Sequence, residues 1–305
     1  MTCVMCPRTD LMTRDIDWIQ ADTFEAVLDQ MEPNSPEDLE QFWQFIKDQY
    51  GITFDERSEN AFYFYVLSRC VILHGYGEPL IDKNITARVQ ACTDRNIPTY
   101  FSCVPANISV ERARSVMDAG LTVLKFSLDG LTDELQKKVR GRLNNFDKSY
   151  ETILEILELK KANNYKTLIV PTMIALAADG QAKIMHQEFI ELWKSHDVFA
   201  YVKSQDNRWY YEGDENIENR SHYHNQYCEY PWTSLTVMAD GSVVPCTQDY
   251  DCEMKMGNVK DNSIEEIWNG TKYQKLRQAH LTGQFTKGFK CAERCDQIKL
   301  HQLLK

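Results

Sequence analysis

The chain has 305 residues, with 34 lysines and arginines against 45 aspartates and glutamates, so its formal net charge is −11. This acidity argues against a protein that binds nucleic acid or an anionic membrane surface. No window reaches the ~18 consecutive apolar residues of a membrane helix, and charges at positions 8, 10, 14, 15 and 17 argue against a secretory leader. We therefore expect a soluble cytoplasmic protein.

Strand-like and helix-like segments alternate after residue 70. Residues 23–66 are expected to be mostly helical, with Ser35 capping a helix that starts at Pro36. Strands are expected at 70–73, 97–102, 122–128, 167–174 and 198–202, and helices at 83–96, 109–119, 148–162 and 182–195. This alternation predicts a parallel α/β sheet, in which chemistry lies at the carboxyl ends of the strands.

The last third of the chain changes character. Residues 205–227 are polar and aperiodic, which indicates a link into a second domain. An Asp-Gly turn at 239–242 predicts a hairpin between short strands at 235–238 and 243–245, followed by helices at 263–268 and 271–280. We expect two domains, residues 1–205 and residues 206–305.

Cysteine is unusually frequent for a chain without a disulfide-forming context. Three of the ten, Cys70, Cys92 and Cys103, lie in apolar or helical surroundings and are expected to be buried as small hydrophobic residues. The other seven form two groups, and metal ligation, catalysis and burial are all open for them. The groups are Cys3 with Cys6, and Cys228, Cys246, Cys252, Cys291 and Cys295.

The first group forms a C-x-x-C motif, Cys3-Val4-Met5-Cys6, which alone fits a dithiol, half a zinc site or part of an iron–sulfur site. Together with Tyr76-Gly77-Glu78-Pro79 after an apolar strand, it resembles the radical S-adenosylmethionine superfamily. Members hold a four-iron cluster with a C-x-x-x-C-x-x-C loop, and Cys3 and Cys6 match its second and third cysteines. We therefore expect that the chain starts inside this motif, and that a first cysteine and a first strand lie upstream of Met1.

The resemblance also implies a cofactor site. In this family a one-electron reduction of S-adenosyl-L-methionine at the cluster yields a 5′-deoxyadenosyl radical, which abstracts hydrogen from the substrate. The matching residues for S-adenosylmethionine binding are Gly77, Glu78, Pro79, Ser127 and Asp129, with Ser102 as a weaker candidate and Tyr76 in place of the family's first glycine. Arg140 and Arg142 follow the next helix, where the family often places a basic residue near the cofactor carboxylate. The alternatives are ordinary turns at 76–79 and 129–130, and a solvated cationic pair at Arg140 and Arg142.

The second cysteine group resembles the SPASM and twitch domains, which hold auxiliary iron–sulfur clusters. Gly241 lies between Cys228 and Cys246 at the spacing of that family. The resemblance implies one auxiliary four-iron cluster, with Cys252 as the spare cysteine. A tetrahedral zinc site would use the same thiolates and stays open. The implied ligands are Cys228, Cys246, Cys291 and Cys295.

The fold expected from the resemblance is a partial (β/α)6 TIM-like barrel with a small C-terminal α+β iron–sulfur domain. The expected function is that of an oxidoreductase: a net oxidation driven by hydrogen abstraction, with a flavodoxin- or ferredoxin-type electron donor. The substrate is expected to be a small molecule, such as a sugar or cyclitol, or a peptide, with the small molecule preferred. A non-catalytic iron–sulfur or zinc protein, and a radical methyltransferase or isomerase, are the alternatives.

Overall fold

The computed structural model describes residues 3–47, 62–63, 66–176, 180–204, 228, 230–282, 284–285 and 291. The chain forms two compact units: Met1–Thr9 with Pro33–Gln205, and Asp10–Glu32 with Asp206–Lys305. A search of the described helices finds none with the length and hydropathy needed to cross a membrane. The predicted linker at 205–227 lies outside the described residues.

A parallel five-stranded sheet forms the centre of the first unit, which confirms the predicted fold class. The strands lie side by side in chain order, and neighbours are paired through registers such as Val71 with Thr99 and Val123 with Leu168. The fifth strand starts three residues later than predicted, because buried residues 198–200 belong to the core before the ladder begins. The strands are β1 (Val71–Ile72), β2 (Thr99–Cys103), β3 (Val123–Ser127), β4 (Leu168–Ala175) and β5 (Tyr201–Ser204).

Helices of the first unit begin where polar side chains accept from free backbone amides, as capping requires. Ser109 accepts from Arg112 N at 3.2 Å, and Asn145 accepts from Lys148 N at 2.8 Å. The predicted cap at Ser35 is also present, since its hydroxyl accepts from Asp38 N at 3.0 Å. In chain order the helices are α1 (Pro7–Asp10), α2 (Ala21–Leu28, in the second unit), α3 (Pro36–Lys47), α4 (Ile85–Thr93), α5 (Val110–Asp118), α6 (Asp133–Arg140), α7 (Phe146–Ala162) and α8 (Gly180–Lys194).

Alternation along the strands divides the core of the first unit into two clusters. Phe101 and Phe126 pack with the helices that connect the strands. Tyr100 and Val123 point to the opposite face, where α3 contributes Phe42 to a second apolar cluster. The latter face becomes polar toward the carboxyl ends of β2 and β3, because the next residues of the same parity are Ser102, Lys125 and Ser127.

The second unit contains a three-stranded antiparallel sheet, ordered β6 (Thr236–Val237), β7 (Ser242–Val244) and β8 (Gly257–Asn258). The predicted hairpin is present, and Gly241 takes a φ of +85° in its turn, a conformation that favours glycine. The helices are α9 (Tyr230–Thr233), α10 (Ile264–Asn269) and α11 (Thr271–Thr282).

Residues 10–32 belong to this second unit, although sequence analysis places them in the first domain. Asp251 accepts from Thr13 N at 2.9 Å and from Arg14 N at 3.2 Å. Arg14 also pairs with Asp240 at 3.1 Å, and Gln30 accepts from Ile264 N at 2.7 Å. Contacts between polar groups more than 200 positions apart leave no trace in local periodicity.

Candidate functional site

The C-x-x-C motif forms a compact turn next to α6. Cys6 N donates to Cys3 O at 3.1 Å, and Thr9 donates its hydroxyl to the same carbonyl at 3.2 Å. Val4 N donates to Val139 O at 3.0 Å, which fastens the turn to the last residues of α6. Cys3 is buried and Cys6 is half-buried. The turn thus presents both thiols from a backbone that is already fixed.

A buried ion pair lies beside Cys3. Arg140 donates Nε to Asp129 Oδ2, and another guanidinium nitrogen lies 3.9 Å from Cys3 Sγ. Asp129 is itself held, because its Oδ1 accepts from Ile174 N at 2.7 Å and its N–H donates to Gln136 at 2.8 Å. Burial lowers the pKa of Arg140, but the negative charges of Asp129 and Cys3 outweigh burial and raise it overall, so the guanidinium stays charged.

The thiol of Cys6 has a different balance. Burial raises its pKa above the ordinary value for cysteine, and the neighbouring Cys3 raises it further. The backbone N–H of Arg8 and the charges of Arg8 and Arg140 act in the opposite direction. Burial has the largest effect, so the pKa of Cys6 remains above its ordinary value.

Glu78 is used within the protein as an acceptor. Its carboxylate is buried and accepts from Leu80 N at 3.4 Å, Val104 N at 3.2 Å and Asn107 Nδ2 at 3.0 Å. Burial raises its pKa, while those three bonds and the charge of Arg140 partly offset the effect. Glu78 thereby ties the loop after β1 to the loop after β2. Its predicted contact with S-adenosylmethionine stays a prediction.

The neighbouring predicted residues differ in their surroundings. Pro79 is buried and opens the 3-10 turn Pro79–Ile81. Gly77 is exposed, and a Cβ placed there would meet no atom within 4 Å. The space beside the Gly77 backbone is therefore open to a ligand.

Ser127 lies at the end of β3, where its hydroxyl is 3.1 Å from that of Ser102 on β2. Ser102 N donates to His74 Nδ1 at 3.4 Å, so His74 joins the same polar layer. Burial lowers the pKa of His74 to about 3, with a further lowering from Lys125, which keeps the ring neutral. Sequence analysis did not select His74, although its position directly after the first apolar strand was a usable indication.

The fold therefore joins Cys3, Arg140 and Asp129 in one group, and Ser102, Ser127 and His74 in another. Arg140, which sequence analysis could equally explain as a solvated cation, is buried between the cysteine turn and Asp129. Asp129, predicted as a cofactor contact or a turn residue, has both carboxylate oxygens bonded within the protein.

The cysteines of the second unit are only partly described. Cys228 and Cys246 are half-buried, Cys291 is buried, and Cys295 lies outside the described residues. Cys246 Sγ accepts from Gln248 N at 3.4 Å. Across the described ranges, no three His, Cys, Asp or Glu side chains come together closely enough to hold a metal ion. The auxiliary ligand set and the spare status of Cys252 stay predictions.

Comparison with known families agrees with this arrangement. A model of the radical SAM superfamily matches residues 1–175, more than half of the chain, and a model of the SPASM iron–sulfur cluster-binding domain matches residues 228–297. The chain belongs to the radical SAM superfamily and carries a SPASM domain.

Individual relatives are distant. The chain is 29% identical over 76 residues to the S-adenosyl-L-methionine-dependent 2-deoxy-scyllo-inosamine dehydrogenase of Niallia circulans, a match of 25% of this chain and 30% of that protein. The fold is similar to BtrN in complex with AdoMet and 2-DOIA, with a TM-score of 0.53 and 15% identity over 98% of this chain and 88% of BtrN. It is also similar to histidine-tagged anSMEcpe with bound AdoMet, with a TM-score of 0.58 and 15% identity over 97% of this chain and 82% of that chain. At these identities the two structures show the fold alone.

The residues present fit the iron–sulfur cluster that the superfamily implies. Thiolates are the ligands that iron–sulfur clusters take from proteins, and Cys3 and Cys6 present two from one fixed turn. The adjacent guanidinium offsets negative charge that would accumulate there. The open space beside Gly77 leaves room for a bound cofactor.

Proposed function

We propose that the protein oxidises a small-molecule alcohol of the cyclitol or sugar class by radical S-adenosylmethionine chemistry. The observation that carries the proposal is the group at the carboxyl edge of the sheet: two thiols on a fixed turn, beside the buried Asp129–Arg140 pair. The SPASM domain and the distant dehydrogenase relative support an oxidation. The auxiliary cluster would be held by Cys228, Cys246, Cys291 and Cys295.

In this reaction Cys3 and Cys6 would hold a four-iron cluster, which when bound would supply the one electron that splits S-adenosylmethionine into methionine and a 5′-deoxyadenosyl radical. Hydrogen abstraction from a carbinol carbon gives 5′-deoxyadenosine and a substrate radical. Loss of one proton and one more electron from that radical gives the carbonyl product. A flavodoxin- or ferredoxin-type protein provides the first electron, and the second electron leaves to the auxiliary site.

The chain's own residues have three tasks in this proposal. Cys3 and Cys6 ligate, and α6 fixes their turn through Val139. Glu78 holds two loops together at the edge where the cofactor would bind. Ser102 and Ser127 lie on the polar side of the sheet, where their hydroxyls can bond to the hydroxyls of a polyol.

Anaerobic analysis of the protein expressed from its full reading frame tests the proposal. Two four-iron clusters correspond to about eight irons and eight sulfides per chain. Reduction with dithionite in the presence of S-adenosylmethionine should yield 5′-deoxyadenosine, and Cys6→Ser should abolish it. Cys70→Ser is the matched control, because Cys70 lies outside the site and its thiol donates to Val66 O at 3.4 Å. A colourless zinc protein, or iron without 5′-deoxyadenosine, would favour the non-catalytic alternative.

A panel of carbinol-deuterated cyclitols and sugars tests the substrate class. Oxidation predicts one deuterium transferred to 5′-deoxyadenosine for each carbonyl formed, with one S-adenosylmethionine consumed. Methylated product would indicate a methyltransferase, and regenerated S-adenosylmethionine would indicate an isomerase. Either result would contradict the proposed oxidation while leaving the family assignment intact.

A further inference from the structure

We propose that Asp129 and Arg140 form a positioning pair that holds a positive charge against the Cys3 thiolate and so raises the reduction potential of the N-terminal cluster. The inference rests on the proposed function, because it assumes that Cys3 ligates that cluster. In this proposal Arg140 acts on the reduction potential of the cluster, and Asp129 acts by holding Arg140 in place.

Arg140 has little conformational freedom. Its side chain is 11% exposed, and the carboxylate that it bonds is fully buried. Its carbonyl accepts from Asn144 Nδ2 at 2.6 Å, so its backbone is fixed as well. Asp129 is anchored by Ile174 N and by Gln136, on β4 and α6. The guanidinium is therefore held in place from both sides.

The electric field of the Asp129–Arg140 pair at Cys3 depends on which end of the pair faces the sulfur. Asp129 bonds the Nε side of the guanidinium, whereas a terminal nitrogen faces Cys3 Sγ at 3.9 Å. The positive end of the pair is thus nearer the sulfur than the negative end. The Cys3 thiol also donates to the Arg140 carbonyl at 4.0 Å, so Arg140 contacts this sulfur through both its backbone and its side chain.

The charge of Arg140 affects the energy of reducing the cluster. Reduction adds one negative charge to a cluster, and both a nearby cation and a hydrogen bond to a ligating sulfur favour the reduced state. Burial limits screening by water and salt. Removing the cation should make the cluster harder to reduce.

Redox titration followed by EPR, on the anaerobic holoprotein, measures the effect. At the wild-type midpoint potential, Arg140→Met should lower the ratio of reduced to oxidised N-terminal cluster about tenfold, which equals about 59 mV for one electron. Arg140→Lys keeps the charge, and its midpoint potential should fall between those of the wild type and Arg140→Met. Lys138→Gln is the matched control, since it removes an exposed cation from the same helix and should leave the midpoint unchanged.

Pulsed EPR of protein labelled with ¹⁵N-arginine tests the role of Asp129. The wild-type reduced cluster should show a nitrogen coupling from the guanidinium, and both Arg140→Met and Asp129→Asn should weaken or lose it. A purely structural role for Asp129 would leave the coupling intact wherever the cluster assembles. If Arg140→Met loses its iron, the arginine coupling in Asp129→Asn decides the question.

Two failures are distinguishable. A wild-type protein without a cluster, or without 5′-deoxyadenosine formation, would refute the proposed function. A competent wild-type protein whose midpoint is unchanged in Arg140→Met, or whose arginine coupling survives Asp129→Asn, would refute the positioning pair alone.

Discussion

Replacing Glu78 by alanine should destabilise the protein before any cofactor binds. The substitution removes an acceptor from Val104 N, Asn107 Nδ2 and Leu80 N. Val104 is buried and its N–H would lose its partner, whereas Asn107 is exposed and can turn to water. An orphaned buried donor costs about 1–3 kcal/mol, and the lost bond to Asn107 adds about 1 kcal/mol. Relief from burying the carboxylate, whose pKa burial raises, offsets part of this.

The net loss is then about 2–3 kcal/mol, which for a unit of this size lowers the Tm by about 4–12 °C. Glu78→Gln should lose about 1 kcal/mol or less, because a rotated amide keeps its oxygen toward Val104 and Asn107 and loses only the long bond from Leu80. Thermal unfolding of the cofactor-free protein measures both, with the exposed Glu155→Ala as control. An unchanged Tm for Glu78→Ala would refute the internal role and leave only a ligand-binding one.

Three further predictions follow from the surroundings of single residues. Gly77→Ala should leave the Tm unchanged, because its Cβ meets no atom within 4 Å, yet it should weaken S-adenosylmethionine binding about tenfold in calorimetry. Gly180→Ala, also in open space, is the control and should alter neither the Tm nor the binding. Normal binding by Gly77→Ala would contradict the predicted contact. Burial lowers the pKa of His280 to about 4, so the folded state prefers the neutral ring, and stability that is present above the unfolded value of 6.5 is lost as the pH falls. Urea unfolding should show about 2 kcal/mol less stability at pH 5.0 than at neutral pH because of this residue, and His280→Phe should remove that part of the pH dependence. Cys246→Ser should lose about four irons per chain and Cys252→Ser none, and equal losses would make Cys252 a ligand.

The parallel sheet could be predicted because the information is local. Apolar runs such as 122–128 and capping residues such as Ser109 fix strands and helix starts within a few positions. Gly120 ends α5 with a φ of +91°, as its position after the helix predicts. The order of the strands then follows from right-handed connections between sequential elements.

The candidate site was predictable only in part. The cysteines and Glu78 follow from spacing and resemblance, but spacing does not show that Glu78 accepts three bonds from the protein itself. Arg140 could equally have been a solvated cation, because its partners Asp129 and Cys3 are 11 and 137 positions away. Residues 10–32 group with the second unit through contacts of similarly long range, as Thr13 contacts Asp251 across 238 positions.

Helix α6 explains why the contacts of the cysteine turn and of Arg140 arise together. Its first residue, Asp133, accepts from Phe146 N at 2.7 Å and so fixes the start of α7. Its last residues bind the cysteine turn through Val139 and supply Arg140. A shift of this one helix would move the thiols and the guanidinium together. The distance between the thiols and the guanidinium therefore depends on one rigid helix, as a fixed contact between Arg140 and Cys3 requires.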